Sequence, residues 1–303
     1  MDWNGKVAFI TGAGTGIGFG VARAFSNAGM RLALSYRDEE QRARCTQWFE
    51  ENGREQPLWI KLDVTDRDAF ARAADAVEAH FGKVHVLVNS AGVSVFGPTD
   101  EASYADYDWI MGVNFGGVVN GVVSFVPKLK ASGESGHVVN ISSMAAYLSG
   151  PQAGIYTASK FAVRGLTESL RYNLAPYGIG VSLVCPALVA TDAGLSALKR
   201  PEAFAGSGFE AVNEEELRRF AGIFAGGMDP LEVGEKILRG MNENAGLIFT
   251  HPEFAEDFKD IYETSLAALP DEEAPPERLE VERMRRAANK AALEGTKISI
   301  NDL

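Results

Sequence analysis

Short apolar runs alternate along this chain with longer segments of helical periodicity. The apolar runs are rich in β-branched residues and cover residues 6–11, 31–36, 58–62, 84–88, 137–141, 180–184 and 247–250. The helical segments between them include residues 20–28, 69–80, 104–125 and 158–174. Strands that are apolar throughout are expected when helices cover both faces of a parallel sheet. The alternation therefore predicts an α/β fold built on one doubly wound parallel sheet of about seven strands.

Two parts of the chain fall outside this alternation. Residues 188–228, rich in Gly, Ala and Phe, lie between the sixth and seventh predicted strands and are expected to form a helical flap. After residue 269, three prolines with acidic residues between them are typical of a linker. Residues 277–293 then have amphipathic helical spacing, with one apolar side formed by Leu279, Val281, Met284, Ala288 and Ala291. We expect one domain over residues 1–269 and a linker with a helical tail over residues 270–303.

The net charge and the spacing of the cysteines and histidines narrow the classes of function that this chain can have. The formal net charge is −12, and an acidic protein gains nothing from a phosphate backbone, so we expect no nucleic-acid partner. Cys45 and Cys185 are far apart, and the four histidines have no mutual ligand spacing, so we expect no metal site and no disulfide framework. The N-terminus lacks the pattern of a secretory signal, and no apolar run approaches the length of a membrane span. The expectation is a cytoplasmic protein with no membrane partner.

A glycine-rich stretch, TGAGTGIG at residues 11–18, directly follows the first predicted strand. Its spacing is T-G-x-x-x-G-x-G with an additional Gly14. Gly12 permits a tight turn, Gly16 lets the backbone approach a pyrophosphate, and Gly18 allows close packing of helix on strand. The helix that begins near Ile17 would direct its N-terminal amide groups at the phosphates. A glycine-rich turn alone is weak evidence, but its position between a strand and a helix predicts a dinucleotide-binding loop.

The segment YTASK places Tyr156 and Lys160 four residues apart, which is one turn of a helix. An ammonium group favours the phenolate form of a neighbouring phenol and so helps it to exchange protons near neutral pH. An arbitrary pair of this kind usually marks a solvated helix face. This pair follows Ser143 by 13 residues in a chain with a dinucleotide loop, which favours a role in proton transfer.

These motifs together resemble those of the short-chain dehydrogenase/reductase superfamily. TGAGTGIG is followed, in the family's order and spacing, by LDVTD (62–66), NSAG (89–92), VNFGG (113–117), NISS (140–143), YTASK (156–160) and PALVAT (186–191). The resemblance covers roughly residues 5–192 and implies a Rossmann-type fold. Two positions depart from the usual pattern: Ser90 replaces a second Asn, and Ala187 replaces a Gly.

The resemblance implies four catalytic residues. Tyr156 would be the acid/base, and Lys160 would tune it and bind the nicotinamide ribose. Ser143 would hold the substrate oxygen, since its spacing to the tyrosine fits the family better than that of Ser142. Asn114 would anchor a water molecule that links Lys160 to solvent. The nicotinamide would carry the hydride, and no metal would be required.

The resemblance also implies the walls of the cofactor site. The predicted contacts are Gly12, Gly14, Thr15, Gly16, Ile17, Gly18, Tyr36, Arg37, Asp63, Val64, Asn89, Ala91, Gly92, Tyr156, Lys160, Pro186, Val189 and Thr191. Tyr36 occupies the strand tip at which NAD-preferring members usually place Asp, and the Arg37 guanidinium suits a 2′-phosphate. Asp38 is an alternative ribose ligand because it lies about 20 residues past the glycines, but we expect it to cap the next helix. The prediction is NADP(H) rather than NAD(H).

The substrate region carries weaker signals. The flap contains an apolar set, Leu195, Phe204, Phe209, Phe220, Ile223 and Phe224. These side chains suit a bulky apolar substrate, although the packing of two extra helices would explain most of them. Residues 117–143 and the segment THPEF (250–254) resemble a longer-tailed subgroup that includes bacterial dehydrogenases of bulky aromatic secondary alcohols.

The expected reaction is the interconversion of a ketone and a secondary alcohol. Alternatives are a 3-oxoacyl thioester or sterol as substrate, or a cofactor-binding regulator without turnover. The family commonly forms tetramers through the helices near residues 104–125 and 158–174. The resemblance therefore implies a homotetramer or homodimer, with the tail helix reaching a neighbouring subunit.

Overall fold

Seven strands form one parallel sheet at the centre of the fold. The structure is a computed structural model that describes residues 2–209 and 214–300. The strands are β1 (Val7–Ile10), β2 (Arg31–Tyr36), β3 (Leu58–Lys61), β4 (Val86–Asn89), β5 (Gly136–Ile141), β6 (Ile179–Cys185) and β7 (Leu247–Phe249). Their order in the sheet is β3-β2-β1-β4-β5-β6-β7, and each neighbouring pair is parallel. The predicted α/β fold is confirmed, and the predicted strand limits lie within two residues of those observed.

Helices cover both faces of the sheet. Within the described residues they are α1 (Gly16–Asn27), α2 (Glu39–Glu51), α3 (Arg67–Phe81), α4 (Tyr104–Met111), α5 (Gly117–Ser132), α6 (Gly154–Leu174), α7 (Glu214–Phe224), α8 (Pro230–Asn242), α9 (Ala255–Ala267) and α10 (Pro276–Leu293). On one face, the ring of Phe9 stacks on that of Phe125 with centroids 4.4 Å apart. On the other face, Phe25 and Ile237 pack against Ile10. Each face therefore has its own apolar core, as a doubly wound sheet requires.

Side-chain caps fix where several of these helices begin. Asp38, Asp66 and Asp229 each accept a hydrogen bond from a backbone N–H in the first turn of α2, α3 and α8. Such caps satisfy amide groups that have no partner within the helix. The predicted capping role of Asp38 is confirmed, because its carboxylate accepts from the backbone N–H of Gln41 at 2.9 Å.

The strand order reverses between β1 and β4. The chain builds outward from β1 to β3, then returns to place β4 on the other side of β1. The loops that leave the carboxyl ends of β1 and β4 consequently diverge and open a crevice, which is where open α/β sheets bind ligands.

The described parts of the flap are short 3₁₀ turns at Asp192–Lys199 and Glu202–Phe204, followed by α7. Residues 210–213 and the side chain of Phe220, both included in the predicted flap, lie outside the described part of the chain. Phe204 and Phe209 pack against the main core. These two phenylalanines thus hold the flap to the domain, as the packing interpretation anticipated.

A buried ion pair, here called the flap latch, joins the flap to α4. The Nη2 atom of Arg200 lies 2.6 Å from Oδ1 of Asp106, whose side chain is 0% exposed. Asp106 also accepts hydrogen bonds from the Ser207 hydroxyl and the Gly208 backbone N–H. Burial acts to raise the pKa of Asp106, but the hydrogen bonds from Gly208, Ser103 and Ser207 outweigh it and lower the pKa below its ordinary value.

The tail helix α10 leaves much of its predicted apolar side exposed. At the end of α10, Ala292 is buried, and the ammonium group of Lys297 lies 4.8 Å from the ring centroid of Tyr177. Leu279, Val281 and Met284, which form much of the predicted apolar side, are exposed instead of packed on the domain. The amphipathic helix is present, and Ala288 and Ala291 on the same side are partly buried.

One helical stretch in the described residues, Tyr104–Ser132, is long and apolar enough to cross a membrane by length and composition alone. This differs from the sequence-based expectation that no run approaches that length. In its most apolar window, 56% of the residues are buried inside the protein. Trp109 and Phe125 from this stretch belong to the main core, so it packs as a core helix of the domain.

Candidate active site

A cavity of about 570 Å³ opens at the predicted crevice. Its walls come from the loops after β1, β2, β4, β5 and β6, together with the N-terminus of α6 and part of the flap. All of the predicted cofactor contacts line this cavity except Asn89. Parallel strands end at the same edge of the sheet, which explains why motifs far apart in the sequence meet here.

The glycine loop forms a narrow cradle at one end of the cavity. Gly12 and Gly16 have φ angles of +64° and +52°, in the region that favours glycine. A Cβ atom on Gly12 would lie 2.8 Å from the Cα of Ala91, so a side chain there would collide with the loop after β4. The side chain of Thr15 does not cap α1, which leaves first-turn amides available to an anion. This cradle fits the pyrophosphate of a dinucleotide.

The loop is fastened to the neighbouring strand by Thr11. Its Oγ1 accepts hydrogen bonds from the backbone N–H groups of Ser90 and Ala91, at 2.9 Å and 3.0 Å. These bonds hold the NSAG loop beside the glycine cradle. Ser90 takes part through its backbone, so its replacement of the family's Asn does not disturb this contact.

Two charged residues stand at the carboxyl end of β2 and β3. Arg37 Nη1 lies 3.9 Å from Asp63 Oδ2, and both side chains are about half exposed. The neighbouring Tyr36 hydroxyl donates to Glu39 at 3.0 Å, and burial together with that carboxylate raises the pKa of Tyr36. Asp38 caps α2, and the contact of Arg37 with Asp63 is a long one, as is the 4.0 Å contact of Lys61 with Glu39 at the end of β3.

The predicted proton-transfer residues lie together at the opposite end of the cavity. Lys160 Nζ lies 5.4 Å from the centroid of the Tyr156 ring and donates to the carbonyl of Ile141 at 3.4 Å. The Lys160 side chain is buried, whereas Tyr156 is half-buried and faces the cavity. The ammonium group is therefore held beneath the phenol by the carboxyl end of β5.

Two adjacent serines after β5 have different partners. Ser142 donates its hydroxyl to the main-chain carbonyl of Lys160 at 2.9 Å, so it ties β5 to α6. The Ser143 hydroxyl accepts from the N–H of Ala145 at 3.1 Å, which leaves its own proton available to a ligand. Both residues line the cavity, but only Ser143 has a free donor among these contacts. This arrangement agrees with the choice of Ser143 as the residue that holds a substrate oxygen.

Asn114 lies next to the cavity and does not line it. It sits in a five-residue π-helical turn, Gly112–Gly116, that the sequence pattern did not predict. Its side chain accepts from the N–H of Val93 and donates to the carbonyl of Val93 and the hydroxyl of Ser159. The side chain therefore joins the loop after β4 to α6, and a water-anchoring role would fall to the main-chain carbonyl. Single π turns of this kind often occur at functional sites.

Asn89 also lies away from the cavity, unlike the other predicted cofactor contacts. Its Nδ2 donates to Oδ1 of Asn140 at 2.8 Å, and Asn140 in turn donates to Thr167 at 3.0 Å. This buried chain joins β4, β5 and α6. The predicted direct contact of Asn89 with a cofactor does not match this position, because its side chain faces the helices α5 and α6 on one side of the sheet. The alignment of Asn89 with Asn140 as register partners in parallel strands explains the pairing.

Other cavity residues carried no motif that sequence reasoning could use. Ser196, on the flap, accepts from the backbone N–H of Ser94 at 3.0 Å and so connects the flap to the loop after β4. Phe224 lines the cavity from α7. The ring of Phe96, which does not line the cavity, lies 5.9 Å from that of Tyr156. Only the aromatic content of the flap pointed to this region.

The two cysteines lie close to the cavity and are poor nucleophiles. Burial raises the pKa of Cys45 to about 11 and that of Cys185 to about 12. The Sγ atom of Cys45 is 3.3 Å from the carbonyl of Gly14, beneath the glycine loop. Their burial as free thiols suits packing roles.

Comparisons with known proteins agree with this geometry. Residues 6–201 match the family described as short chain dehydrogenase. The C alpha-dehydrogenase of a Sphingobium species is 38% identical over 277 residues, which cover 91% of this chain and 90% of that protein.

Two solved structures are similar over most of their length. A chain from Novosphingobium aromaticivorans, solved as a short-chain dehydrogenase, has a TM-score of 0.83 and 35% identity, and the match covers 98% of this chain and 99% of that one. A short chain dehydrogenase/reductase from Burkholderia phymatum, in complex with NAD, has a TM-score of 0.80 and 34% identity, covering 91% and 99%.

Proposed function

The chain belongs to the short-chain dehydrogenase family, and from that premise we propose that it interconverts a ketone and a secondary alcohol. The observation that carries this proposal is the cavity itself, in which Ser143, Tyr156 and Lys160 stand at one end and a glycine cradle at the other. In this proposal residues 1–269 are the catalytic domain, with residues 188–228 as the flap. Residues 270–303 are a linker and helical tail.

A bound nicotinamide would supply the hydride during reduction or accept it during oxidation. Ser143 would donate its hydroxyl proton as a hydrogen bond to the substrate oxygen. Tyr156 would transfer a proton to that oxygen as the carbonyl is reduced, and would take the proton back when the alcohol is oxidised. The buried ammonium of Lys160 lies one helical turn from Tyr156, 5.4 Å from the centroid of its ring. Asn114 would hold the water through which the proton returns from solvent.

The substrate is proposed to be bulky and hydrophobic, with an aromatic ring as the preferred group. Phe96 lies beside Tyr156, and Phe224 reaches the cavity from the flap. An aromatic ring beside Tyr156 and another in the cavity wall favour a ligand that can pack or stack on aromatic side chains. The similarity to the C alpha-dehydrogenase is consistent with such a substrate.

The test of this function is a panel of aryl ketones and aryl secondary alcohols, each assayed with NADPH or NADP⁺ and with NADH or NAD⁺. We expect turnover of aryl ketones or of the corresponding alcohols. The panel includes a 3-oxoacyl thioester and a sterol ketone, so that turnover of these alone would replace the proposed substrate class. Binding of cofactor without turnover of any compound would favour a regulatory protein.

The proposed cofactor is NADP(H). Arg37 stands at the end of β2, its guanidinium only loosely paired with Asp63, and the acidic residue that follows caps a helix. A guanidinium in this position can form charge-assisted hydrogen bonds with a 2′-phosphate. NAD(H) remains the alternative cofactor, and the related structure from Burkholderia phymatum contains NAD.

Replacing Arg37 by Ala is expected to weaken NADPH binding by about 10- to 100-fold, because charge-assisted hydrogen bonds to the phosphate are lost. NADH binding should change by less than about twofold, since NADH lacks that phosphate. Calorimetric titration of both cofactors measures the two effects. Arg44→Ala is the control, because Arg44 is exposed on α2 and pairs with Glu40. A wild-type protein that binds NADH more tightly than NADPH would contradict the proposed preference.

The proposed assembly is a homotetramer or homodimer in the cytoplasm. Exposed large side chains on α4, α5 and α6, among them Tyr104, Val123 and Phe161, would be covered by a second copy, as would the apolar side of α10. Two buried free thiols fit a reducing compartment. The mass in solution should then be two or four times the 32.6 kDa of one chain.

A further inference from the structure

His251, in the THPEF segment, contacts the active-site loop at two consecutive residues. This segment follows the edge strand β7 and has no part in the mechanism described above. The imidazole Nδ1 lies 3.2 Å from the backbone nitrogen of Ala187, and Nε2 lies 2.9 Å from the carbonyl oxygen of Leu188. One ring thus bridges two adjacent residues of loop 186–191, part of which lines the cavity.

The two contacts determine which nitrogen of the His251 ring carries the proton. The Ala187 N–H is a donor and requires an acceptor, whereas the Leu188 carbonyl requires a donor. Only a neutral imidazole with its proton on Nε2 satisfies both. The Thr250 hydroxyl lies 2.7 Å from Nδ1 and can donate to the same nitrogen. The ring is therefore set in one orientation and one tautomer by its surroundings.

The residues on either side of His251 are themselves attached to the domain. The main-chain carbonyl of Thr250 accepts a hydrogen bond from Lys236 at 2.7 Å, which ties the segment to α8. On the other side, Phe254 packs in a small core with Met144 and Ala187. The ring is thus attached to the rigid part of the domain, so it can restrain a loop.

The loop that His251 contacts carries several parts of the proposed site. The Pro186 carbonyl accepts from the N–H of Met144, the residue after Ser143, at 2.9 Å. Farther along the loop, Met228 donates its N–H to the Leu188 carbonyl at 3.0 Å and accepts from the Ala190 N–H at 2.9 Å. The His251 ring binds between Pro186 and Ala190, and it shares the Leu188 carbonyl with Met228. Of the two residues that would hold the nicotinamide, Val189 comes directly after the residues that His251 contacts, and Thr191 comes directly after Ala190.

We propose that His251 is a positioning residue of the active site, which fixes loop 186–191 so that Val189 and Thr191 are placed to hold the nicotinamide. The role in holding the nicotinamide rests on the proposed function, but the restraint on loop 186–191 can be measured without turnover. Groups behind a binding site act in this way by limiting how far the groups in contact with the ligand can shift.

Three substitutions separate the two contacts. His251→Phe keeps a ring and removes both hydrogen bonds. His251→Asn retains an acceptor near the position of Nδ1 and so can still bind the Ala187 N–H. His251→Gln retains a donor near the position of Nε2 and so can still bind the Leu188 carbonyl. His80→Phe is the matched control, because His80 is an exposed histidine on α3, remote from the cavity.

Hydrogen exchange of the Ala187 amide in cofactor-free protein is the first measurement. We expect exchange at least about tenfold faster in His251→Phe and in His251→Gln, with protection largely kept in His251→Asn. Calorimetry should show cofactor binding weakened about tenfold in His251→Phe and partly restored in His251→Asn. In steady-state assays kcat should fall more than the substrate KM rises. The His80→Phe variant should match the wild type in every measurement.

The proposal is overturned if Ala187 exchange and cofactor affinity in His251→Phe stay within about twofold of the wild type. It is also overturned if His251→Asn protects Ala187 no better than His251→Gln, and this comparison decides the question even if His251→Phe does not fold. If the variants show the expected exchange pattern but the wild-type protein turns over no substrate, the loop restraint stands and the proposed function is refuted.

Discussion

Replacing Tyr156 by Phe is expected to lower kcat by about 10³-fold or more while the dissociation constant of the cofactor changes by less than about twofold. Phenylalanine keeps the ring that faces the cavity but removes the only atom proposed to exchange a proton with the substrate. Cofactor affinity should persist because the glycine cradle and Lys160 are unchanged. Steady-state kinetics and a calorimetric cofactor titration measure the two quantities.

Tyr172→Phe is the matched control for this variant. Tyr172 lies on the same helix, α6, but does not line the cavity. The control should keep wild-type kcat. Retention of more than about a tenth of the wild-type kcat by Tyr156→Phe would show that another group moves the proton, because general acid–base catalysis contributes at least about 10².

The second large effect is a loss of folding stability when the flap latch is broken. Asp106→Ala is expected to lower the free energy of unfolding by about 3–5 kcal/mol, because the Arg200 guanidinium would remain buried without its carboxylate. Arg200 is only 13% exposed and its guanidinium carbon lies 4.7 Å from the centroid of the Trp109 ring, so the charge cannot easily reach water. Chemical denaturation measures the loss.

Glu40→Ala provides the comparison for an exposed pair. Glu40 lies 3.1 Å from Arg44 on the surface of α2, and its removal should cost no more than about 0.5 kcal/mol. A loss below about 1 kcal/mol for Asp106→Ala would show that the flap is held chiefly by its apolar contacts.

The flap latch also makes the stability of the folded protein depend on pH in the acid range. The lowered folded-state pKa of Asp106 means that its carboxylate stabilises the folded chain. This contribution is present above the ordinary value of 3.8 and is lost as the pH falls from there through the lowered folded-state pKa. Asp106→Asn, which cannot ionise, should show a shallower loss of stability with acid than the wild type does.

The sequence predicted the fold well because each strand has a local signature. The apolar runs and their spacing follow from burial on both faces of a sheet, and no long-range information is needed to see them. The glycine loop and YTASK were likewise recognisable because their chemistry depends on short spacings. Their meeting in one cavity follows from the parallel order of the strands.

Features that depend on distant contacts could not be predicted. Asp106 and Arg200 are 94 residues apart, and neither has a local pattern that indicates the other. The side chain of Asn89 turns toward Asn140 because of the register of β4 and β5, which periodicity does not give. His251 reaches Ala187 across 64 residues. The surface that covers the apolar side of α10 could not be predicted either, because an amphipathic pattern does not tell which surface will cover it.

The hydrogen bond from Ser142 to the Lys160 carbonyl ties the end of β5 to α6. The hydroxyl that would bind the substrate directly follows β5 and the phenol that would protonate it lies on α6, whereas the aromatic side chains of the flap belong to neither element. In the proposed function, substrate selection and proton transfer therefore depend on different parts of the fold. We therefore expect changes in the flap to alter which molecule this chain admits and to leave the relative positions of Ser143 and Tyr156 unchanged.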